Sequence, residues 1–361
     1  NIAAFDATTG ALTSWDPHAD DYVSSILVSG RTVYVGGGFS TVGGRVRRNL
    51  AALDAGTGLA TAWNPSPNGV VNSLAFWKNT VLVGGYFSSA GGQPRNSLAA
   101  IDTASGLATA WNPNANDRVY AVVPADSVIY IGGWFSAVGG QTRLTLAAVD
   151  TGAGRPTSWA PATNFVVSAL AVLNGIVYVG GSFDQIAGAA RNNLAAIDAA
   201  GQVMDWTPNP DSDVDALVAT DSTLYVGGLF LSIGGASRSC LAAVDAHSGV
   251  VKDWNPGANG HVFGLAATPS KLYVAGTFGI VGEWPHSGIA AIDLADLPAP
   301  RPSFSLFLGP VAPNPLHDAG TIRFVLPRDG PVNLTIYDLQ GRRIATPLDH
   351  SMLAAGPHSV S

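Results

Sequence analysis

The chain has 361 residues, of which 47% are apolar and only 12% charged, about half the usual charged share of roughly 25%. Its net charge of −7 excludes a general nucleic-acid binder, which needs clustered Lys and Arg to neutralise phosphates, and no run of about 18 apolar residues offers a membrane-spanning helix. Glu283 is the only glutamate and Lys78, Lys252 and Lys271 are the only lysines, so two of the best helix formers are nearly missing, and the single Cys240 rules out an internal disulfide.

In chain order, one pattern returns throughout residues 1–293. Ala-Ala-x-Asp ends at Asp6, Asp54, Asp102, Asp150, Asp198, Asp245 and Asp293, in steps of 48 or 47 residues. Tryptophan keeps the same step at Trp15, Trp63, Trp111, Trp159, Trp206 and Trp254. Phenylalanine follows Gly-Gly-x at Phe39, Phe87, Phe135, Phe183 and Phe230, and Ala-Gly-x at Phe278. Anchors that share a period define a structural repeat.

Each unit predicts four short strands, rich in β-branched, aromatic or small residues and bounded by turn residues. In the second unit they cover Val71 to Leu74, residues 81–85, residues 98–102 and Thr109-Ala110-Trp111. Asp-x-x-(Ser/Thr)-Gly, as in Asp54 to Gly58, predicts the turn between strands three and four. Pro113, after Trp111-Asn112, stops the fourth strand because it cannot donate to a ladder. Four strands in about 48 residues imply an all-β fold, a six-bladed β-propeller in which each blade covers its neighbours. The Gly-Gly pairs of strand two and the small residues Ser25, Ser73, Ala121, Ala169, Ala216 and Gly264 of strand one predict close packing near the axis, with the tryptophans filling the wedges between blades. The N-terminal residues 11–15 are expected to close the ring. One third-strand copy, residues 2–5 or 289–292, is then surplus, either an added edge strand or the sign of a longer array.

The unit Tyr178-Val179-Gly180-Gly181-Ser182-Phe183, with Arg191 and Leu194-Ala195-Ala196-Ile197-Asp198, resembles the delta-60-type β-propeller repeats of bacterial surface and secreted proteins. That resemblance implies a fold, not a reaction. A Pro-rich linker is expected at residues 294–305. Beyond it, residues 306–361 carry Pro313-Asn314-Pro315, the alternating runs 321–327 and 332–338, Gly341-Arg342-Arg343 and Ala355-Gly356-Pro357-His358. The alternation predicts strands of a small β-sandwich. The motif order resembles the sorting domain of type IX secretion cargo and the immunoglobulin-like domain of flagellar hook-cap proteins, with the final strands missing. The resemblance implies delivery by secretion machinery to the exterior or surface of a Gram-negative-type bacterium.

Catalytic signatures such as His-Glu-x-x-His, Gly-x-Ser-x-Gly and Cys-x-x-Cys are absent from the sequence. Cys240 stands where other units have Ser97 or Asn193 and reads as an inert core thiol. Arg47, Arg95, Arg143, Arg191 and Arg238 recur and are expected to bond loop carbonyls. Binding is expected where units differ, in the loops after strands four and two. The candidates there are Asp20, Asp21, Tyr22, Tyr86, Asp117, Arg118, Tyr120, Trp134, Asp213, Asp215 and His261. Aromatics beside carboxylates suit a glycan, a peptide or a surface protein. No organic cofactor is expected, but Asp211, Asp213 and Asp215 alternate as a Ca²⁺ site could. The competing expectations are an extracellular hydrolase or lyase using Asp20, Asp21, Asp117, Asp213, Asp215 or Glu283, and a structural subunit of a surface assembly.

Overall fold

A computed structural model describes residues 2–282, 284–294, 307–312, 321–326, 330–338, 342–353 and 356–360. It divides into two compact units, Asn1–Leu297 and Pro298–Ser361. Among the described residues there is no helix.

In the first unit every repeat builds one three-stranded antiparallel sheet, which we term a blade. Blade 1 comprises Val23–Ser29, Thr32–Gly37 and Leu50–Asp54; blade 2, Val70–Trp77, Thr80–Tyr86 and Leu98–Asp102; blade 3, Val119–Pro124, Val128–Gly133 and Leu146–Asp150. Blade 4 comprises Val167–Leu173, Ile176–Gly181 and Leu194–Ile197; blade 5, Val214–Thr220, Thr223–Gly228 and Leu241–Asp245; blade 6, Val262–Ala267, Lys271–Gly276 and Ile289–Asp293. The middle strand of blades 1 to 5 is buried along nearly its whole length: in blades 2 to 5 a neighbouring blade lies on each face, and in blade 1 Ile2 and Trp15 pack on the side away from blade 2. Five core clusters are each shared by two consecutive blades: Leu82 and Leu98 of blade 2, for example, pack with Val119, Val122, Ile129 and Ile131 of blade 3.

Glycine sets how near the blades come. A Cβ on Gly132 would lie 2.5 Å from Cγ1 of Val167 in the next blade, and one on Gly36, Gly180 or Gly227 would meet Val71, Val214 or Val262 at the same distance. Real side chains do not approach so closely, so the first glycine of each pair is dictated by the neighbouring blade. The second glycine faces a different obstacle, the carbonyl of the residue just before the bulge valine of its own blade, such as Arg118 for Gly133.

The tryptophans take a different place from the one expected. A four-stranded blade is not what forms: the fourth position is held by single bridges such as Leu53 to Ala60 and Ile101 to Ala108. Trp111 lies beyond the bridge, where the chain has already crossed toward the next blade. Its indole Nε1–H donates to the Asp150 carbonyl of blade 3 at 2.9 Å, and Trp63, Trp159 and Trp206 make the same bond to Asp102, Asp198 and Asp245. A tyrosine of the preceding blade meets the indole edge-on, as Tyr130 meets Trp159 at 4.8 Å between centroids. The tryptophan is therefore a wedge between blades, as anticipated, but a pin on the following blade rather than a rung of its own.

A second difference is a two-stranded hairpin in every blade, such as Thr41–Val42 with Arg45–Val46. Its turn residues Gly43 and Gly44 have φ of 61° and 73°, the two successive left-handed residues of a type I′ turn. The recurring arginines tie this hairpin down, as expected. Arg95 donates from Nη1 to the Pro94 carbonyl and from Nη2 to the Thr109 carbonyl, and Arg47, Arg143, Arg191 and Arg238 repeat the pattern.

Closure of the ring by strands from both ends is not seen. Residues 2–5 form no strand; Phe5 bridges Leu12 instead. Ile26 and Val28 of blade 1 are exposed, as are Phe263 and Ile289 of blade 6, although inner-blade equivalents of Ile26 and Ile289, such as Val122 and Leu146, are buried. Ala275 replaces the first glycine of the pair in blade 6, and its Cβ occupies the space that a closely packed next blade would need.

In the second unit, Phe307–Ala312, Thr321–Leu326 and Gly356–Val360 form one sheet, and Gly330–Tyr337 pairs with Arg343–Leu353. Ile322, Phe324 and Leu326 alternate onto a buried face. Residues 295–305 of the linker expected at 294–305, Pro313-Asn314-Pro315, Gly341 and Glu283 lie outside the described residues.

Two measurements follow. Gly132→Ala is expected to cost about 1–3 kcal/mol by overpacking against Val167, whereas Ala275→Gly costs under about 1 kcal/mol; urea unfolding of both compares them. The second concerns the turns after strand three. The N–H and hydroxyl of Thr57 hold Asp54 below the usual carboxylate range, and the hydroxyl and N–H of Ser105 do the same for Asp102. Folded values below the unfolded one of about 3.9 mean that this stabilisation is complete above that pH and is lost as pH falls through the folded values. The melting temperature is therefore expected to hold between about pH 7 and 5 and to drop below about pH 4, less steeply in Asp102→Asn, as read by calorimetry.

Candidate functional site

Every first strand begins with a β-bulge, between Val71 and Ser73 in blade 2 and between Val119 and Ala121 in blade 3. A bulge turns one side chain out of the pleat. The turned residues are Ser24, Asn72, Tyr120, Ser168, Asp215 and Phe263, a position that varies between units. In blades 1 and 2 they reach the next blade: Ser24 donates from Oγ to the Val71 carbonyl and Asn72 from Nδ2 to the Val119 carbonyl. At Asp215 the partner is His261 instead, with Nε2 and Oδ2 2.6 Å apart. The ring of His261 also lies 4.1 Å from that of Phe263. Asp215 and His261 thus join blades 5 and 6, and Tyr120 shares the bulge position.

The other predicted carboxylates divide by role. Asp20 accepts the N–H groups of Ser40 and Thr41 on one oxygen, and Asp211 accepts those of Leu231 and Ser232. Asn68, Asn116, Asn164 and Asn259 make the same pair of bonds. This position is a repeated clasp that holds the loop before strand one to the hairpin. The Thr41 N–H leads the bonds that keep Asp20 below its ordinary pKa; for Asp211, burial works against ionisation but bonds from Ser232 and Leu231 outweigh it. Asp21 and Asp117 each accept the N–H of the following residue, Tyr22 and Arg118. With Asp211 in its clasp and Asp215 on His261, the alternating acids are not gathered: among the described residues, no three His, Cys, Asp or Glu side chains form a group able to hold a metal ion. Cys240 is buried, and burial pushes its thiol pKa up, with the Asp211 charge adding to the shift, which leaves it a poor nucleophile.

The variable loops do converge. In each blade the residue after the glycine pair sits across from the residue before the first-strand valine. The N–H of Trp134 donates to the Arg118 carbonyl, that of Ser182 to Val166 and that of Leu229 to Asp213. Successive blades bring these ends side by side. The Arg118 guanidinium lies over the ring of Tyr86 at 4.9 Å, and Trp134 meets Phe165 edge-on at 4.9 Å. Tyr86, Trp134 and Phe165 are 53%, 41% and 48% exposed, so blades 2 to 4 carry an aromatic ledge open to solvent. Tyr22 continues the series on blade 1, lying against Gly38. Phe165 also lines a cleft of about 490 Å³, together with Ser182, Phe183 and Asp184 of blade 4 and Pro210 and Asp211 from the loop entering blade 5. The sequence pointed to Tyr86, Arg118 and Trp134. It did not single out Asp184, although Asp184 is the one carboxylate at a position occupied in other units by Ser40, Ser88, Ser136, Leu231 and Gly279.

No family model and no curated protein matches the chain. Solved structures do. The computationally designed Ika8 protein aligns with TM-score 0.50 and 13% identity over 95% of this chain and 92% of its own. A chain of the Mitotic Checkpoint Complex aligns with TM-score 0.50 and 15% identity, over 81% and 89% respectively. The WD40 β-propeller domain of Doa1 aligns with TM-score 0.44 and 12% identity, over 72% and 90%. The fold of the repeat unit is a β-propeller. Identities this low speak to fold alone.

Proposed function

We propose that the protein is a binding module whose recognition surface is the ledge of Tyr86, Arg118, Trp134 and Phe165. The observation that carries this reading is the exposure of three large aromatic rings, locked by Arg118 and by one another, on one end of adjacent blades. Rigid aromatics offer contact area at little entropic cost, and such residues with Arg dominate binding energies. The blades beneath are held by buried glycine contacts and tryptophan pins, so the ledge is organised before any ligand arrives. An extended ligand, a glycan, a peptide or a loop of a surface protein, would lie across several blades.

The hydrolase reading is weaker on these residues. Asp20 is tied to backbone N–H groups and Asp215 to His261, and Asp21 and Asp117 each accept the N–H of the next residue.

Array screening against glycans and peptides identifies a ligand, and titration of variants then measures the ledge. Trp134→Ala and Arg118→Ala are expected to weaken binding by about 2 kcal/mol, roughly 30-fold, with the thermal transition unchanged. Wild-type affinity in both variants would remove the ledge from the site.

For location we infer display outside the cell, delivered through residues 306–361, a reading supported by the motifs of residues 313–358. In a host competent for type IX secretion, the full chain is expected in the medium or at the surface, and a chain ending at Leu297 inside the cell, as fractionation and blotting will show. Equal export of both forms would refute a sorting role.

A further inference from the structure

The cleft beside Phe165 differs chemically from the ledge that leads to it. Its rim carries three polar groups without a hydrogen-bond partner among the described residues: the Ser182 hydroxyl, the Asn192 side-chain amide and Asp184 Oδ2. The other Asp184 oxygen is fixed by Asn164 Nδ2 at 2.6 Å, so the free one has a set direction. Asn164 is itself fixed, since its Oδ1 accepts the N–H groups of Asp184 and Gln185. Among the described residues no Lys or Arg lines the cleft, and the two ionisable residues there, Asp184 and Asp211, are acids. An anionic group is therefore repelled. The apolar side is supplied by Phe165, exposed, and Phe183, buried beneath it. The volume of about 490 Å³ falls within the range of small-ligand sites, about 300–1,000 Å³.

We propose that this cleft, between blades 4 and 5, is a subsite for one uncharged sugar unit of a neutral glycan whose chain continues along the ledge. A sugar ring has two kinds of surface, and the cleft has a partner for each. Its C–H face would rest on Phe165, whose ring face is electron-rich. Adjacent hydroxyls would donate to Asp184 Oδ2 and accept from the Asn192 amide, with Ser182 able to do either. The fixed carboxylate selects for a donor at one place, and leaving it unpaired after desolvation would be costly. Asp184 occurs at this position in blade 4 alone, so the subsite belongs to one blade and not to the repeat.

This inference rests on the ledge being the binding surface, and the test separates the two. Neutral oligosaccharides of glucose, mannose, xylose and galactose, and lysine-rich peptides as cationic probes, are titrated calorimetrically against the full chain and against Trp134→Ala, Asp184→Asn, Asp184→Ala and Asn192→Ala. The expected result is binding of at least one neutral oligosaccharide, weakened tenfold or more by Asp184→Ala and Asn192→Ala, severalfold by Asp184→Asn, and little changed between 50 and 500 mM salt. If Trp134→Ala abolishes glycan binding while the Asp184 and Asn192 variants bind like wild type, the ledge stands and the sugar subsite falls. If only cationic peptides bind, and salt or Asp184→Asn removes that binding, the cleft is a cation site and the proposal is overturned. Unaltered melting temperatures and spectra show that each variant is folded. Asp184→Asn, which can still accept from Asn164, serves as the variant least able to disturb the loop.

Discussion

One contact organises the first unit: the approach of a valine in one blade to a glycine in the blade before it. Gly36, Gly84, Gly132, Gly180 and Gly227 each lack a Cβ where the following blade places a valine. The five contacts bring the sheets close enough for the rest of the interface to form. Leucines, isoleucines and alanines of facing sheets then pack together, and the indoles of Trp63, Trp111, Trp159 and Trp206 each reach a carbonyl of the next blade. Dispersion depends steeply on separation, so widening one such contact would weaken a whole interface rather than a single pair.

That packing also explains where function can sit. Strand two is buried on both faces and admits little variation. Positions at the bulge and at the ends of strands one and two are freer, and there the units diverge. At the bulge, Ser24, Asn72 and Asp215 turn sideways and join blades, by a hydroxyl, an amide and the pair with His261. The strand ends face solvent together, and the exposed aromatics stand there. Recurrence and variation in the sequence thus map onto two physical environments, the interblade core and one end of the array.

Several residues that looked chemically active prove to be architectural. Asp20 and Asp211 occupy a position that asparagine fills in other units, because the position requires an oxygen that can accept two backbone N–H groups and no charge. The recurrent arginines, the most concentrated positive charge in the repeat, spend their terminal nitrogens on carbonyls of their own blade. Each leaves a buried Nε without a protein partner. The third-strand aspartates shape turns. A charged side chain that recurs in every unit answers a need of the backbone.

The sequence alone settled the period, the first three strands of each blade, the close packing at the glycine pairs and the wedge role of tryptophan, since repetition displays those constraints several times over. It also contained, unread, the hairpin: Gly43-Gly44 and its copies are a two-residue turn signal, obscured by flanking strands of only two residues. What it could not settle was whatever depends on which groups meet across blades. The tryptophan pin joins residues 39 apart, as Trp63 to Asp102, and the ledge joins Tyr86 to Arg118 and Trp134 to Phe165, none of them neighbours in the chain. The cleft is further removed still, for it depends on one oxygen of Asp184 being held while the other is left free. Local pattern specifies the strands; only the stacking of the sheets decides which side chains share a surface, because that is fixed by distances between units that no single unit contains.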